Sequence, residues 1–454
     1  MEISFYGACR QVTGSCHYIN TGKSRFLIDC GVFQGTAQAE KQNYAPFGFD
    51  PARLDFVIAT HAHADHIGRL PKLCRDGFAG KIYSTPPTKD LIKIMLADAV
   101  EILEYEAKKY HHQPLYSKRD VQDTIQRFIG IDYRHKTRLA PDVELEFYDA
   151  GHILGSAFVV LTLGQGKTKK RVVFSGDLGN PPVPLLRDTE FVRGADVVIM
   201  ETTYGGRIHE PASMRLEMLK SAFGQTAKNA GVLLIPVFAL ERTQEILYEL
   251  NHLVESGKVP AIPVYVDSPL AIEALQVYRH YQNLFDQASQ KLLAKGDNLF
   301  DFPGLKYTKT ASESKKINTS VSPKVIIAGS GMANGGRILH HLPRYLPGSK
   351  NQLLIVGYQA QGTLGRELYE GKRVVKIDGQ LVPVKARVTA IGAYSAHADQ
   401  PKLLHWVKKM SWKRPSKVFL IHGETKASQM VADGLKQKLK INSIIPEPEK
   451  VYEL

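Results

Sequence analysis

Short apolar runs bounded by glycine, asparagine or threonine open the chain. Residues 3–6, 16–19 and 26–30 each have the length and flanks of a β-strand. Phe56-Val57-Ile58-Ala59 has no polar position and reads as a buried strand. Behind it the period changes. Residues 67–74 are expected to open a helix, and residues 88–110 a longer one that packs through Leu91, Ile94, Met95 and Ile102. The strand pattern returns at residue 143, again at 171–174 and again at 197–200. Between about residues 206 and 375 lies a separate α/β stretch, with strands expected at 232–238, 262–266, 325–328 and 353–356 and an amphipathic helix at 242–255. Residues 312–322, rich in Ser, Lys and Asn, read as an exposed loop. The end of the chain resumes the first pattern, with runs at 388–394 and 417–421, a helix at 426–440 and a short strand near 443–445. The class is α/β, divided into 1–205, 206–375 and 376–454, with the middle part inserted into a domain made by the other two.

The apolar run at 56–59 leads directly into Thr60-His61-Ala62-His63-Ala64-Asp65-His66, three imidazoles and a carboxylate just past a strand. Open α/β sheets place their sites at the carboxyl ends of strands. His61 and His63, two apart on extended backbone, can point the same way and hold one ion, while Asp65 and His66 turn towards a second. Later strands repeat the arrangement. His152 lies between glycines after the strand from residue 143, Asp177 follows the run at 171–174, and Glu201 ends the run at 197–200. His397, in Ser395-Ala396-His397-Ala398-Asp399, and His422, in His422-Gly423-Glu424, follow the last two runs. Asp29, at the end of the third strand, is placed to orient a ligand histidine. The adjacent pair His111-His112 reads as a solvated helix end rather than as ligands. Two glycine-rich turns follow strands in the middle region, Gly329 to Arg337 and Gly357 to Thr363. Of these, Ser330, Gly331 and Arg337 are the expected phosphate contacts.

Composition narrows the function. At 454 residues, with 43% hydrophobic and 23% charged, the chain has the make-up of a soluble globular protein of two or three domains. It contains no apolar run near the ~20 residues that a bilayer span needs. Residues 1–7 read as a first strand rather than a secretion signal, and Cys9, Cys16, Cys30 and Cys74 show no CxxC spacing, so a cytoplasmic protein with reduced thiols is expected. The formal net charge of +14 favours a polyanionic partner, nucleic acid first.

These motifs together resemble the metallo-β-lactamase superfamily, and within it the β-CASP nucleases. His61-x-His63-x-Asp65-His66, His152 and Asp177 match the superfamily's metal motifs in order. Glu201 with Thr202-Thr203-Tyr204-Gly205-Gly206-Arg207, the Ser395–Asp399 segment and His422-Gly423-Glu424 resemble the three β-CASP motifs. Asp267-Ser268-Pro269-Leu270 and Ser330-Gly331-Met332 are similar to recurring family segments. The resemblance implies an αββα sandwich with an inserted β-CASP α/β domain. It implies two zinc ions, one on His61, His63, His152 and Asp177, the other on Asp65, His66, His422 and the same Asp177. The expected catalytic set is Asp65, Asp29, Glu201 and His397, with His397 as the general acid kept protonated by Glu201. A histidine in the third motif marks RNA-directed members. The implied activity is hydrolysis of single-stranded RNA, endonucleolytic with 5′–3′ exonuclease activity open, leaving 5′-phosphate and 3′-hydroxyl ends. A homodimer is open as an assembly. The alternatives are a thioester or lactone hydrolase on the same core and a non-catalytic RNA-binding subunit.

Overall fold

The computed structural model describes residues 1–410 and 417–454. It divides into two compact units. The first comprises Met1–Pro181, Asp188–Ile208 and His397–Leu454, and the second Pro182–Arg187 and His209–Ala396.

The first unit is built on two sheets. One has seven strands, running from Val451–Glu453 at one edge through Glu2–Phe5, His17–Asn20, Arg25–Ile28, Phe56–Ile58 and Lys81–Ser84 to Phe128–Gly130. The other has six, in the order Lys417–Ile421, Val197–Glu201, Lys170–Phe174, Ala157–Leu163, Val143–Asp149 and Thr137–Ala140. Side chains alternate across each strand, and both faces are covered. Val172 and Phe174, with Val197 and Ile199, face the core between the sheets, where Ile3, Phe5, Phe26 and Ile58 meet them. Val173, Val198 and Met200 point the other way, against Leu403, Trp406 and Val407 of the Gln400–Met410 helix and Val431 of the Thr425–Gly434 helix. This double coverage explains why residues 172–174 and 197–200 carry no polar positions. On the other side the seven-stranded sheet is followed by the helices Leu70–Arg75 and Pro86–Tyr110. The architecture is the αββα sandwich.

The register places the site. Lys170–Phe174, Val197–Glu201 and Lys417–Ile421 run parallel, with Glu201 opposite Ile421. Their carboxyl ends therefore lie side by side, so Asp177, Glu201 and His422 emerge at one edge. Asp65 and His66 lie in a short helix, Ala64–Ile67, which is separated by Gly68-Arg69 from Leu70–Arg75. Gly31 makes room for that turn: a Cβ there would fall 1.6 Å from the Asp65 carbonyl oxygen.

The second unit holds a six-stranded, all-parallel sheet in the order Leu305–Tyr307, Val264–Asp267, Lys324–Ala328, Val232–Pro236, Gln352–Ile355 and Arg387–Ala390. The last strand lies in the stretch, 376–454, that the sequence assigns to the first domain. It pairs with Gln352–Ile355 because its apolar residues complete this sheet, and the second unit runs on to Ala396. Residues 311–317, expected in a loop, form a helix closed by a capping box in which Thr310 and Glu313 satisfy each other's backbone N–H groups.

Candidate metal centre and acid–base pair

Seven of the residues singled out from the sequence converge in two groups. In the first, donor atoms of His61, His63, His152 and Asp177 all lie within 4.8 Å of one another, and in the second those of Asp65, His66 and His422 do. His63 Nδ1 is 3.1 Å from both His61 Nε2 and His152 Nε2. His66 Nε2 and His422 Nε2 are also 3.1 Å apart, with Asp65 Oδ2 at 3.3 Å from the latter. Asp177 lies between the groups. Its Oδ2 is 3.4 Å from His61 Nε2 and 3.5 Å from His152 Nε2, while Oδ1 is 3.4 Å from His66 Nε2. That Oδ1 is buried and accepts no hydrogen bond among the described residues. A buried carboxylate oxygen without a donor, facing converging imidazole nitrogens, fits a bound cation and has little other physical use. The donor set, nitrogen and carboxylate oxygen, suits zinc.

The imidazoles are held from behind. Asp29, at a positive φ of 62° where its strand turns, accepts from the Thr60 backbone N–H at 2.8 Å, from the Thr60 hydroxyl at 2.9 Å and from His66 Nδ1 at 2.7 Å. Thr60 Oγ1 is in turn 3.0 Å from His61 Nδ1, and Thr203 Oγ1 is 3.0 Å from His422 Nδ1. Each contact fixes which ring nitrogen faces the site. The hydroxyls of Thr60 and Thr203 were not singled out from the sequence. Their signal was position, one residue before His61 and two after Glu201. Burial pushes the His61 imidazole well below its usual range, with the neighbouring histidines adding to the effect, and lowers His63 to about 4. Asp177 is also held well below the carboxylate range, because the surrounding histidines outweigh its burial. These lone pairs are available at neutral pH.

His397 and Glu201, with Asp177, form a third group whose donor atoms also lie within 4.8 Å of one another. His397 Nδ1 is 3.1 and 3.2 Å from the two Glu201 oxygens and 3.9 Å from Asp177 Oδ2. Glu201 is fully buried and fixed by the Leu178 N–H at 2.7 Å, while His397 keeps an exposed edge. Burial alone would lower the imidazole, but Glu201 and Asp177 overcome it and raise its pKa to about 9.

The remaining sequence candidates lie in the second unit or at a helix end. Ser330 Oγ accepts from the backbone N–H of Asn334 at 3.1 Å, tightening the glycine-rich turn, and at Gly331 a Cβ would meet the Phe238 ring at 2.7 Å. Arg337 directs its guanidinium to Asp267 Oδ1 at 2.7 Å and to the carbonyls of Thr308 and Lys309. His111 ends its helix in the left-handed conformation, and His112 turns to the Gln113 carbonyl. No helix among the described residues is long and apolar enough to cross a membrane.

Models of three families match the chain: the metallo-beta-lactamase superfamily over residues 9–221, the Beta-Casp domain over 243–368 and the Zn-dependent metallo-hydrolase RNA specificity domain over 381–446. A ribonuclease of Thermus thermophilus is 41% identical over 93% of this chain and 93% of its own. The chain belongs to the β-CASP family of the metallo-β-lactamase superfamily. The transcription termination factor FttA of Methanosarcina mazei is 34% identical over 98% of this chain and 70% of its own. An RNase J-like protein of Methanocaldococcus jannaschii is 34% identical, covering 98% and 97%. A crystal structure of a protein of unknown function from Enterococcus faecalis matches with a TM-score of 0.54 at 10% identity, over 100% of this chain and 99% of that one, and bears on the fold alone. The metal groups and the His397–Glu201 pair lie within the first unit of this β-CASP protein.

Proposed function

We propose that the protein is a zinc-dependent ribonuclease that hydrolyses phosphodiester bonds in single-stranded RNA, chiefly as an endonuclease, leaving 5′-phosphate and 3′-hydroxyl ends. The carrying observation is the placement of Asp177 between two histidine–aspartate groups, with a raised-pKa histidine beside them. Two zinc ions held by His61, His63, His152 and Asp65, His66, His422, with Asp177 reaching both, would supply Lewis acidity towards the phosphate and a nucleophile at neutral pH.

The chain's own residues do the rest. Asp29 and Thr60 orient His66 and His61, and Thr203 orients His422. His397, its Nδ1 held by Glu201, presents Nε2 and donates that proton to the departing 3′ oxygen. Asp65 closes the second group, its Oδ2 3.3 Å from His422 Nε2. Ser330 and Gly331 shape a turn for the strand, and Arg337 acts by bracing that turn through Asp267 rather than by gripping phosphate itself. The candidate metal and acid–base residues all come from one chain, and a homodimer is open as an assembly. Four free cysteines accord with a cytoplasmic location.

The RNA direction is supported by the RNA specificity domain match and by relatives named as ribonucleases. Incubating zinc-loaded protein with linear and circular forms of one single-stranded RNA tests the reading. Cleavage of both forms supports an endonuclease. Hydrolysis of a thioester or lactone with neither RNA cut would replace this reading with the small-substrate one.

A further inference from the structure

Between residues 302 and 350 the sequence has eight lysines and arginines and one acid, Glu313. Two of the eight are buried or held in an ion pair. Lys324 is buried with its ammonium on the carbonyls of Ile317 and Ser320, and Arg337 is paired with Asp267. The helices Ala311–Ile317 and Ile338–Tyr345 gather four of the others. At the start of the second helix Arg337 donates to the Lys309 carbonyl at 2.7 Å, just ahead of the first helix. In its last turn Arg344 donates to the carbonyl of Asn318, the C-cap of the first, at 3.0 Å. The two helices therefore run side by side in the same direction, and Lys309, Lys315, Lys316 and Arg344 are all exposed on this helix pair.

No carboxylate forms an ion pair with these four among the described residues. The one acid in the stretch, Glu313, is engaged chiefly by the backbone N–H groups of Lys309 and Thr310, at 2.8 and 2.9 Å. The helix dipole accounts for Lys315 and Lys316 in a last turn, but not for Lys309 ahead of a helix start, where a cation is disfavoured. The Tyr345 ring is buried, so the aromatic side chain nearest Arg344 is withdrawn from this helix pair's surface.

We infer that this face is a second RNA contact, binding phosphates of the substrate strand without regard to base sequence. It rests on the ribonuclease reading and adds to it an affinity surface made wholly of second-unit residues. RNA is favoured over an acidic protein because four exposed cations without carboxylate partners among the described residues suit a uniform string of phosphates.

The test is K309Q/K315Q/K316Q in the full, zinc-loaded chain, compared with the parent and with K23Q/K81Q/K228Q, which removes the same charge from scattered exposed sites. Binding of a 40-nucleotide single-stranded RNA is measured against salt, and turnover at saturating RNA. Each phosphate contact on a single strand contributes about 0.7 to the slope of log affinity against log salt, so the face variant should lose about 2. Its turnover should stay within about twofold, and the scattered variant should keep the parent slope. Parent-like binding by the face variant, or equal losses in both variants, overturns the inference and leaves the ribonuclease reading standing. A parent that neither binds nor cuts RNA overturns the ribonuclease reading, and the inference falls with it.

Discussion

Asp29 and His66 meet at 2.7 Å, carboxylate oxygen to ring Nδ1, and this contact leaves Nε2 of His66 facing Asp177 at 3.4 Å. One buried carboxylate thus sets the direction of an imidazole in one group directly and, through the Thr60 hydroxyl, of His61 in the other.

Asp29→Asn should therefore weaken zinc retention while the fold persists. Removing such a supporting partner typically costs roughly 10- to 100-fold in metal affinity. Competition with a chromogenic chelator checks it, and Thr60→Val should show the same effect on the first group.

The convergence of these side chains was legible in the sequence because the candidate ligands crowd into Thr60 to His66 and then recur at strand ends, where a polar residue after a strongly apolar run stands out. The supporting hydroxyls were not, since Thr60 and Thr203 look like ordinary strand-end threonines until the fold brings them to a ring nitrogen. Residues 311–317 were hidden by their Ser and Lys content, although Thr310 and Glu313 had the spacing of a capping box. The strand Arg387–Ala390 was legible as a strand, but its partner, Gln352–Ile355, is a matter of non-local pairing that no local pattern reports. Arg337 looked like a phosphate contact because the fully buried Asp267, seventy positions away, was not visible as its partner.

Asp267 gives a pH test in the second unit. Burial would raise its carboxyl, but hydrogen bonds from His341, Ser314, Thr308 and Arg337 hold it well below the usual range. A depressed carboxyl contributes stability that is present above its unfolded pKa and is lost as pH falls through the folded value. Asp267→Ala, which leaves Arg337 and His341 without their partner, should cost roughly 3–5 kcal/mol at neutral pH. The gap between variant and parent should narrow below about pH 4. Urea unfolding across pH checks both statements.

Glu201→Gln should shift the alkaline limb of the rate profile to lower pH. The sign follows from the pair: Glu201 raises the His397 pKa against the effect of burial, so removing its charge lets the proton leave earlier. Zinc content should match the parent. The measurement is kcat/KM for a short RNA across the alkaline range, and an unmoved limb would detach Glu201 from the proton donor.

His422→Ala removes a donor from the second group, where Asp65 and His66 remain. Elemental analysis should find close to two zinc ions per parent chain and fewer in this variant, with cleavage falling in step and chelation of the parent abolishing it.

The central claim, that His397 donates a proton rather than holds metal, is tested most directly by measuring zinc content and RNA cleavage on the same preparation of His397→Ala. Its Nδ1 is engaged by Glu201 at 3.1 Å, and seven other residues already furnish the two groups. The account predicts parent-level zinc and RNA affinity with cleavage reduced roughly 10²- to 10⁴-fold. Loss of zinc in proportion to activity, or cleavage at the parent rate, would contradict it.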